Sequence, residues 1–490
     1  YEVADETPLT RAATLSQRLG VDVRLKREDL QSVFSFKLRG AYNKISQLPA
    51  DELARGVITA SAGNHAQGVA LAAQRLGIKA TIVMGRNTPS IKVNAVRARG
   101  AKVILHGDSY DQASAHAAAM AAAERLVYVP PYDDVDVIAG QGTIGMEIVN
   151  QYPGDLDSIF VPVGGGGLIA GIAAYVKYLH PKTKVIGVEA EGSACLYAAR
   201  QAGKRVRLPA DTLDLFADGV SVAQVGAAPF KIAKHYVDDV VLVNTDEICA
   251  AIKDVFEDAR CVSEPAGALA IAGMKRYLAR ASGIESAVAI VSGANVNFDR
   301  LRHISERAEL GEEREAILAA KIDEQPGSFL RFCKALGRRA ITEFNYRSAD
   351  ADSAHIYVGL GVDSQADREA VVKSLQEKHY GVLDMTDNEA AKLHVRHMVG
   401  GRSPEGIDEL LYRFEFPERP GALLQFLTGL GQRWNISLFH YRNHGSAWGR
   451  VLVGFTASKK DQPALNKYLG QIGYRFWSEQ DNPAYKMFLQ

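Results

Sequence analysis

Cysteine is scarce in this chain. Cys195, Cys249, Cys261 and Cys333 are the only thiols in 490 residues, and no two of them form a CxxC pair. That excludes a disulfide scaffold and supplies no plausible set of metal ligands, so a reduced intracellular compartment is the expectation. Neither sign of charge is in excess, since 57 basic and 57 acidic side chains give a formal net charge of +0. There is accordingly no electrostatic reason to expect nucleic acid or an anionic membrane as a partner. An uninterrupted apolar run of about 18 residues is missing, and so is a charged-then-apolar leader. The chain begins at Tyr1 rather than Met, which leaves room for a missing leader. A bacterial cytoplasm is expected, with a plastid origin left open. What is present is a globular composition, 47% hydrophobic and 23% charged, in a chain long enough for two or three domains.

The residues up to 315 alternate short apolar runs with alanine-rich amphipathic segments. Val57–Thr59 precedes a helix-like Asn64–Leu76, and Ala80–Met84 precedes Ile91–Arg99. Val103–Leu105 leads into Tyr110–Arg125, and Ser158–Val163 into Leu168–Leu179. Strands of nearly continuous apolar character alternating with helices predict a parallel sheet covered on both faces. The charged run from Arg302 to Lys321 reads as a connecting helix. Beyond it the strands alternate, as in a sheet with one face on a core. This second part, 316–490, contains a repeat, with copies at 316–395 and 408–490. Glu324-Gln325-Pro326-Gly327 returns as Glu418-Arg419-Pro420-Gly421, and Ile341 to Arg347 returns as Ile436 to Arg442. The offsets are 420 − 326 = 94 and 441 − 346 = 95. Each copy reads as strand, helix, strand, strand, helix, strand, the ferredoxin-like order.

Four short segments carry chemistry. Lys37 stands in Ser35-Phe36-Lys37-Leu38-Arg39-Gly40, where apolar neighbours would lower the proton affinity of its amine. Ser61-Ala62-Gly63-Asn64-His65 is a strand-to-helix turn whose amides suit a carboxylate, and the Asn64 amide offers both donor and acceptor to a phenolic oxygen. Gly164 to Gly167 lie between a strand and a helix beginning at Leu168, so bare backbone N–H groups would converge on a phosphate. That loop is neither GxGxxG nor a P-loop. Ser292, at the end of the apolar strand Ala287–Val291, could hydrogen-bond a pyridine nitrogen. Lysine and glycine loop, 164 − 37 = 127 residues apart, are what a pyridoxal phosphate enzyme needs. A serine at the ring nitrogen gives a weaker electron sink than a carboxylate, which suits β-elimination.

These motifs together resemble the threonine deaminase (threonine ammonia-lyase) family over essentially the whole chain. Lys26 to Gln31, Ser35 to Tyr42, Ala60 to Gly68, the glycine loop, Ser263 to Ala268 and Ser292 to Asn297 all look like that family's blocks. The resemblance implies an α/β, fold-type II (tryptophan synthase β-like) catalytic domain over 1–315. It also implies an α+β, ferredoxin-like tandem ACT-like regulatory domain over 316–490. It makes Lys37 the Schiff-base lysine and base at the α-carbon, and Phe36 a packing partner of the pyridoxal phosphate ring. It gives Asn64 the phenolic oxygen, Gly164, Gly165, Gly166, Gly167 and Leu168 the phosphate, and Ser292 the pyridine nitrogen. Ser61, Ala62, Gly63, Asn64 and His65 would bind the carboxylate of L-threonine. Related serine racemases place a second, proton-transferring serine where this chain has Ala62, so elimination is favoured over racemisation. The resemblance further implies isoleucine as inhibitor, bound by Tyr346, Arg347, Tyr441 and Arg442, and a homotetramer, with no resident metal. Phe344 and Phe439, on the same strands, fit a core equally well. The residues leave open whether valine opposes isoleucine, whether serine is a side substrate, and whether a monovalent cation sits near Glu189 to Ala194. A catabolic dehydratase, a cysteine synthase or tryptophan synthase β relative, and a non-enzymatic amino-acid sensor remain as alternatives.

Overall fold

The computed structural model describes residues 1–483 apart from 87, 108–109, 210–211, 215, 299, 324, 326, 349–352, 389–390, 392–394, 396–407, 418–421, 431–433, 443–447 and 459. It divides into two compact units, Tyr1–Gly311 and Glu312–Gln490.

Among the described residues, ten strands build the first unit: β1 (Leu9–Arg11), β2 (Asp22–Arg27), β3 (Val57–Ala60), β4 (Ala80–Met84), β5 (Lys102–Leu105), β6 (Val127–Tyr128), β7 (Ser158–Pro162), β8 (Lys184–Ala190), β9 (Asp239–Val243) and β10 (Ser286–Val291). They form two sheets rather than the single sheet the strand–helix alternation suggests. One is six-stranded, ordered β1-β2-β10-β7-β8-β9, and the other four-stranded, ordered β5-β4-β3-β6. The reason lies in the chain's path. The continuous stretch 57–128 pairs only with itself, in parallel, and covers its sheet with its own helices. The larger sheet draws on residues before and after that stretch and is parallel except at the β1 edge. All residues of β3, β7 and β10 are buried, as strands covered on both faces must be. Each Val or Ile so enclosed contributes roughly 1.5–3 kcal/mol over an exposed one. The three loops of chemical interest follow the carboxyl ends of β3, β7 and β10, where ligands gather in such sheets.

Among the described residues, the second unit has eight strands: β11 (Glu315–Asp323), β12 (Ile341–Ser348), β13 (Ser353–Gly361), β14 (Gly381–Asp384), β15 (Glu409–Pro417), β16 (Asn435–Arg442), β17 (Trp448–Thr456) and β18 (Arg475–Ser478). They make one antiparallel sheet ordered β14-β11-β13-β12-β16-β17-β15-β18. Its left and right halves are the two βαββαβ copies, joined at β12 and β16. The helices Ser328–Leu336, Gln365–Glu377, Ala422–Leu430 and Gln462–Ile472 supply the rest of each copy. Phe344 pairs with Tyr441 and Tyr346 with Phe439 across the joint. Since 344 + 441 = 346 + 439, a local two-fold axis passes through it. Each inner strand has a register shift at the same place, between Ile341 and Glu343 in one copy and Ile436 and Leu438 in the other. Thr342 donates to the Glu315 carboxylate at the first shift, and Ser437 donates to the Glu409 carboxylate at the second. The Pro326 and Pro420-Gly421 landmarks of the repeat lie outside the described residues.

One expectation needs correcting. The charged run Arg302–Lys321 is not one connecting helix: the helix Arg300–Gly311 stops, and Glu315 opens β11. The run Glu315-Ala316-Ile317-Leu318 is buried at every position, which a polar-faced linker helix does not allow.

Candidate active site

Lys37 opens the helix Lys37–Ser46. That helix lies against the helix Asn64–Leu76 so closely that a Cβ on Gly68 would come within 3.0 Å of Leu38 N. This backbone approach brings Lys37 and the Ser61–His65 turn together. Although Lys37 as a whole is only partly buried, its amine end is enclosed. Loss of hydration lowers its pKa to about 8, against a smaller upward pull from Glu264. Its Nζ donates to Pro131 O at 2.8 Å and stands 5.2 Å from the centre of the Phe36 ring. The Phe36 N–H donates to Ser292 O at 3.2 Å, and Ser35 bridges to Gly293, so the lysine's own loop is fastened to the end of β10.

Pro131 leads directly to the glycine loop. Tyr132 packs on it so tightly that a Cβ on Gly165 would fall 2.2 Å from the base of the tyrosine ring, and one on Gly167 3.0 Å from Tyr132 Cα. A Cβ on Gly164 would lie 2.9 Å from Val220 Cα, and Gly166 has φ +89°, the left-handed region. All four positions therefore demand glycine. The helix Gly167–Leu179 starts here, and the N–H groups of its first turn have no partner within it. Among the described residues, no hydrogen bond takes up the N–H groups of Gly164 to Leu168. A row of bare amides at a helix N-terminus is a cradle for a phosphate.

The third component runs through Asn64. Its Nδ2 donates to Glu264 Oε1 at 2.6 Å, and its Oδ1 accepts from Asn295 Nδ2 at 2.6 Å. The amide is thus fixed, and its second N–H is the donor left for a phenolic oxygen. Glu264 is 5% exposed, and burial pushes its pKa up to about 7, the Asn64 hydrogen bond opposing. Glu264 and Asn295 stand within the blocks Ser263 to Ala268 and Ser292 to Asn297, to which the sequence assigns no task at these two positions. The signal available was a carboxylate placed just before a Pro-started helix, facing a strand end.

The remaining expected residues fall as follows. Ser61 Oγ accepts from Gly63 N at 3.2 Å, and a Cβ on Gly63 would meet open space, so the turn is shaped and accessible. His65 points elsewhere: its Nε2 lies 3.0 Å from Val129 O, and burial holds its pKa down to about 3, so the ring is neutral. Only backbone at that position is available to a carboxylate. Ser292, 3% exposed, donates to Ala266 O at 3.2 Å. Tyr346 and Tyr441, 5% and 1% exposed, belong to the core of the second unit with Phe344 and Phe439, and the Phe329 ring lies tilted against that of Tyr346 with centroids 5.2 Å apart. Arg347 and Arg442 lie on β12 and β16, but their side chains are outside the described residues. Among the described residues, no cluster of three or more His, Cys, Asp or Glu could hold a metal, and no helix is long and apolar enough to cross a membrane.

An enclosed amine of lowered proton affinity, a glycine loop with bare amides and an oriented side-chain amide define an enzyme that works through a bound pyridoxal phosphate. The pyridoxal-phosphate dependent enzyme family matches residues 2–293, and the C-terminal regulatory domain of threonine dehydratase matches 306–395 and again 400–489. The biosynthetic L-threonine dehydratase of Burkholderia multivorans is 54% identical, covering 100% of this chain and 97% of that protein. That of Escherichia coli is 52% identical over 100% and 95%, and the chloroplastic biosynthetic enzyme of Arabidopsis thaliana 50% identical over 100% and 82%. Among solved structures, the processed form of threonine deaminase isoform 2 from Solanum lycopersicum aligns with a TM-score of 0.61 and 52% identity, over 63% of this chain and 89% of that one. Maize serine racemase aligns at 0.58 and 32%, over 61% and 91%. The chain belongs to the biosynthetic threonine dehydratases, pyridoxal-phosphate enzymes with a duplicated C-terminal regulatory domain.

Proposed function

We propose that this chain eliminates water from L-threonine, that the resulting enamine tautomerises and is hydrolysed by one water to 2-oxobutanoate and ammonia, the committed step towards isoleucine, and that isoleucine inhibits it. The enclosed Lys37 amine, held by the carbonyl of Pro131 next to the Tyr132 that packs on the glycine cradle, is the observation that carries the reading. Bound pyridoxal phosphate supplies an aldehyde that takes up the substrate's amine and a ring that draws electrons from its α-carbon. The residues do the rest. Lys37 is the group that would bond the aldehyde and, once released, take the α-proton, a task for which burial has already lowered its proton affinity. Gly164 to Gly167 and Leu168 would hold the phosphate through N–H groups, and Phe36 would flank the ring. Asn64, fixed by Glu264 and Asn295, would present one N–H to the phenolic oxygen. Ser292 would face the ring nitrogen, giving up a long bond to Ala266 to do so. The backbone of Ser61 to His65 would carry the substrate carboxylate. Ala62 has no proton to deliver from the opposite side, so the α-carbon loses its proton without regaining one there, and elimination follows.

For the second unit we propose an isoleucine site at the β12–β16 joint, with Tyr346, Arg347, Tyr441 and Arg442 as its residues. The two tyrosines are buried, so isoleucine would have to bind a state in which they have moved, which is what a ligand that shifts an equilibrium must do. We propose further a homotetramer working in the cytoplasm, with valine opposing isoleucine.

Initial rates of 2-oxobutanoate formation against threonine, with and without isoleucine, test the reading. A sigmoidal curve pushed to higher threonine by isoleucine is expected, and Lys37→Ala should be inert. Substantial turnover by that variant would overturn the assignment of Lys37. Turnover indifferent to isoleucine would leave the dehydratase and remove the effector site.

A further inference from the structure

Two residues beyond Lys37, the same helix turn carries a guanidinium into the interior of the first unit. Arg39, Glu28, Glu147 and Lys26 are 3%, 0%, 1% and 0% exposed. Arg39 Nε and Nη2 each donate to one oxygen of Glu28 at 2.8 Å. Its Nη1 and Nη2 donate to Glu147 at 2.6 and 3.0 Å. Nη1 also reaches Thr143 Oγ1 at 3.1 Å, and Nη2 the Asp5 carbonyl at 3.1 Å. Lys26 Nζ completes the set, 2.6 Å from Glu147 Oε2. Two positive and two negative charges balance away from water.

Stability is a poor account of such a cluster. Taking ions out of water costs about what their attraction returns, and a well-packed apolar replacement is commonly as stable. What the two forks add is direction, because a bidentate guanidinium–carboxylate pair fixes both distance and rotation. The elements so fixed are those that carry the site. Arg39 holds the helix that begins at Lys37. Glu28 begins the connection from β2 to Val33 and Phe34, whose carbonyls accept from Asn295 Nδ2 at 2.8 Å and Ala294 N at 2.9 Å. Glu147 and Thr143 belong to the helix Val135–Gln151, just beyond Pro131, the acceptor of the Lys37 amine. The two helices meet backbone to backbone: a Cβ on Gly40 would lie 2.6 Å from Val137 O, and one on Gly140 2.6 Å from Arg39 O. The Gln141 amide sits at the same contact, its Oε1 accepting from Gly40 N at 3.3 Å, and ties the two backbones together.

We propose that Arg39 is a positioning residue, which through its two forks sets where the Lys37 amine stands against the Pro131 carbonyl and the Asn64 turn. The proposal rests on the role given to Lys37 above. An active Lys37→Ala enzyme would remove that role, whereas an inert Lys37→Ala beside a normal Arg39→Lys would remove only the proposal.

The test uses the holoenzyme with Arg39→Lys, which keeps the charge and loses the forks, and Thr143→Val, which removes one acceptor without uncovering a charge. Thermal unfolding establishes that each is folded. Then kcat and KM for threonine are measured, together with the visible absorbance of the bound cofactor across pH. For Arg39→Lys a fall in kcat of about 10- to 100-fold is expected, with KM changed by no more than about three-fold. The pH midpoint of the absorbance should be displaced by about half a unit or more. Thr143→Val should show smaller changes in the same sense. Folded variants with the parent's kcat and the parent's absorbance titration would reduce the cluster to a structural role and overturn the proposal. If Arg39→Lys does not accumulate folded, Thr143→Val decides by the same readouts.

Discussion

Gly165→Ala is the smallest change that should disable the cofactor site. The added methyl would sit 2.2 Å from Cγ and Cδ1 of Tyr132 and 2.4 Å from Cδ2, while an ordinary contact begins at 3.4 Å. The ring or the loop must therefore give way by 3.0 − 2.2 = 0.8 Å at the least, and by 3.4 − 2.2 = 1.2 Å to regain ordinary contact. The obstructing atoms are at the base of the ring, so a rotation about the tyrosine's outer bonds does not clear them. Short of a swing of the whole ring about the Cα–Cβ bond, the displacement passes into the glycine loop or the backbone at Tyr132, next to the Pro131 carbonyl that holds Lys37 Nζ at 2.8 Å. A misplacement of about 1 Å in a reacting group costs on the order of 100-fold, or about 2.7 kcal/mol at 1.36 kcal/mol per decade. We expect pyridoxal phosphate affinity, measured by titrating the cofactor-free protein and reading absorbance, to weaken by about that factor. At saturating cofactor kcat should still fall, because the Lys37 acceptor has moved as well. A Gly165→Ala enzyme that keeps cofactor affinity and kcat within about two-fold would refute the argument that Tyr132 couples the phosphate cradle to the lysine.

Other substitutions probe separate parts. Gly470→Ala lies inside the helix Gln462–Ile472 with nothing within 4 Å of the new methyl, so it should stabilise the second unit by roughly 0.5–1 kcal/mol, read from denaturant midpoints, without altering basal turnover. Glu264→Gln should remove a pH dependence of stability. A carboxyl whose pKa rises from 4.5 to about 7 on folding binds its proton more tightly in the folded state, so its contribution is present below pH 4.5 and is lost as pH climbs through about 7. The parent's unfolding midpoint should decline across that window by more than the variant's does. Tyr346→Ala and Tyr441→Ala should each blunt inhibition by isoleucine. Each also opens a cavity in a buried core at a cost of about 3–5 kcal/mol, so isoleucine response must be scored only on protein shown to be folded.

Much of the site could be read from local spacing. Lys37 between apolar neighbours, four glycines after a buried strand and a duplicated Ile-x-x-Phe-x-Tyr-Arg each announce themselves within a few residues. What escaped was whatever joins distant positions. Asn64, Glu264 and Asn295 form one hydrogen-bonded line only because β3 and β10 end at the same place, and no period in the sequence marks that. Nothing within a few residues of Arg39 marks it, because its partners Glu28 and Glu147 lie 11 and 108 positions away. His65 was read by its place in a turn, yet Val129, 64 residues on, claims its ring. The split into two sheets was hidden for the same reason: apolar strands declare that they are buried, not which neighbour they pair with. The end of the helix at Gly311 was masked by a glutamate-rich stretch whose charges continue into β11 while its burial pattern changes.

The joint between β12 and β16 makes the duplicated tail indivisible. Each copy completes the other's sheet, and the strands at the seam are inner ones carrying Phe344, Tyr346, Phe439 and Tyr441 rather than blunted borders. Truncation after the first copy would turn β12 into a long open edge, with aromatic side chains stripped of their cover and a row of backbone groups ready to pair with any passing strand. Such a half-length tail would not be a simpler sensor but a sticky one. The gene duplication could therefore be kept or lost only whole, and shortened forms of the enzyme should end before β11, not between the copies.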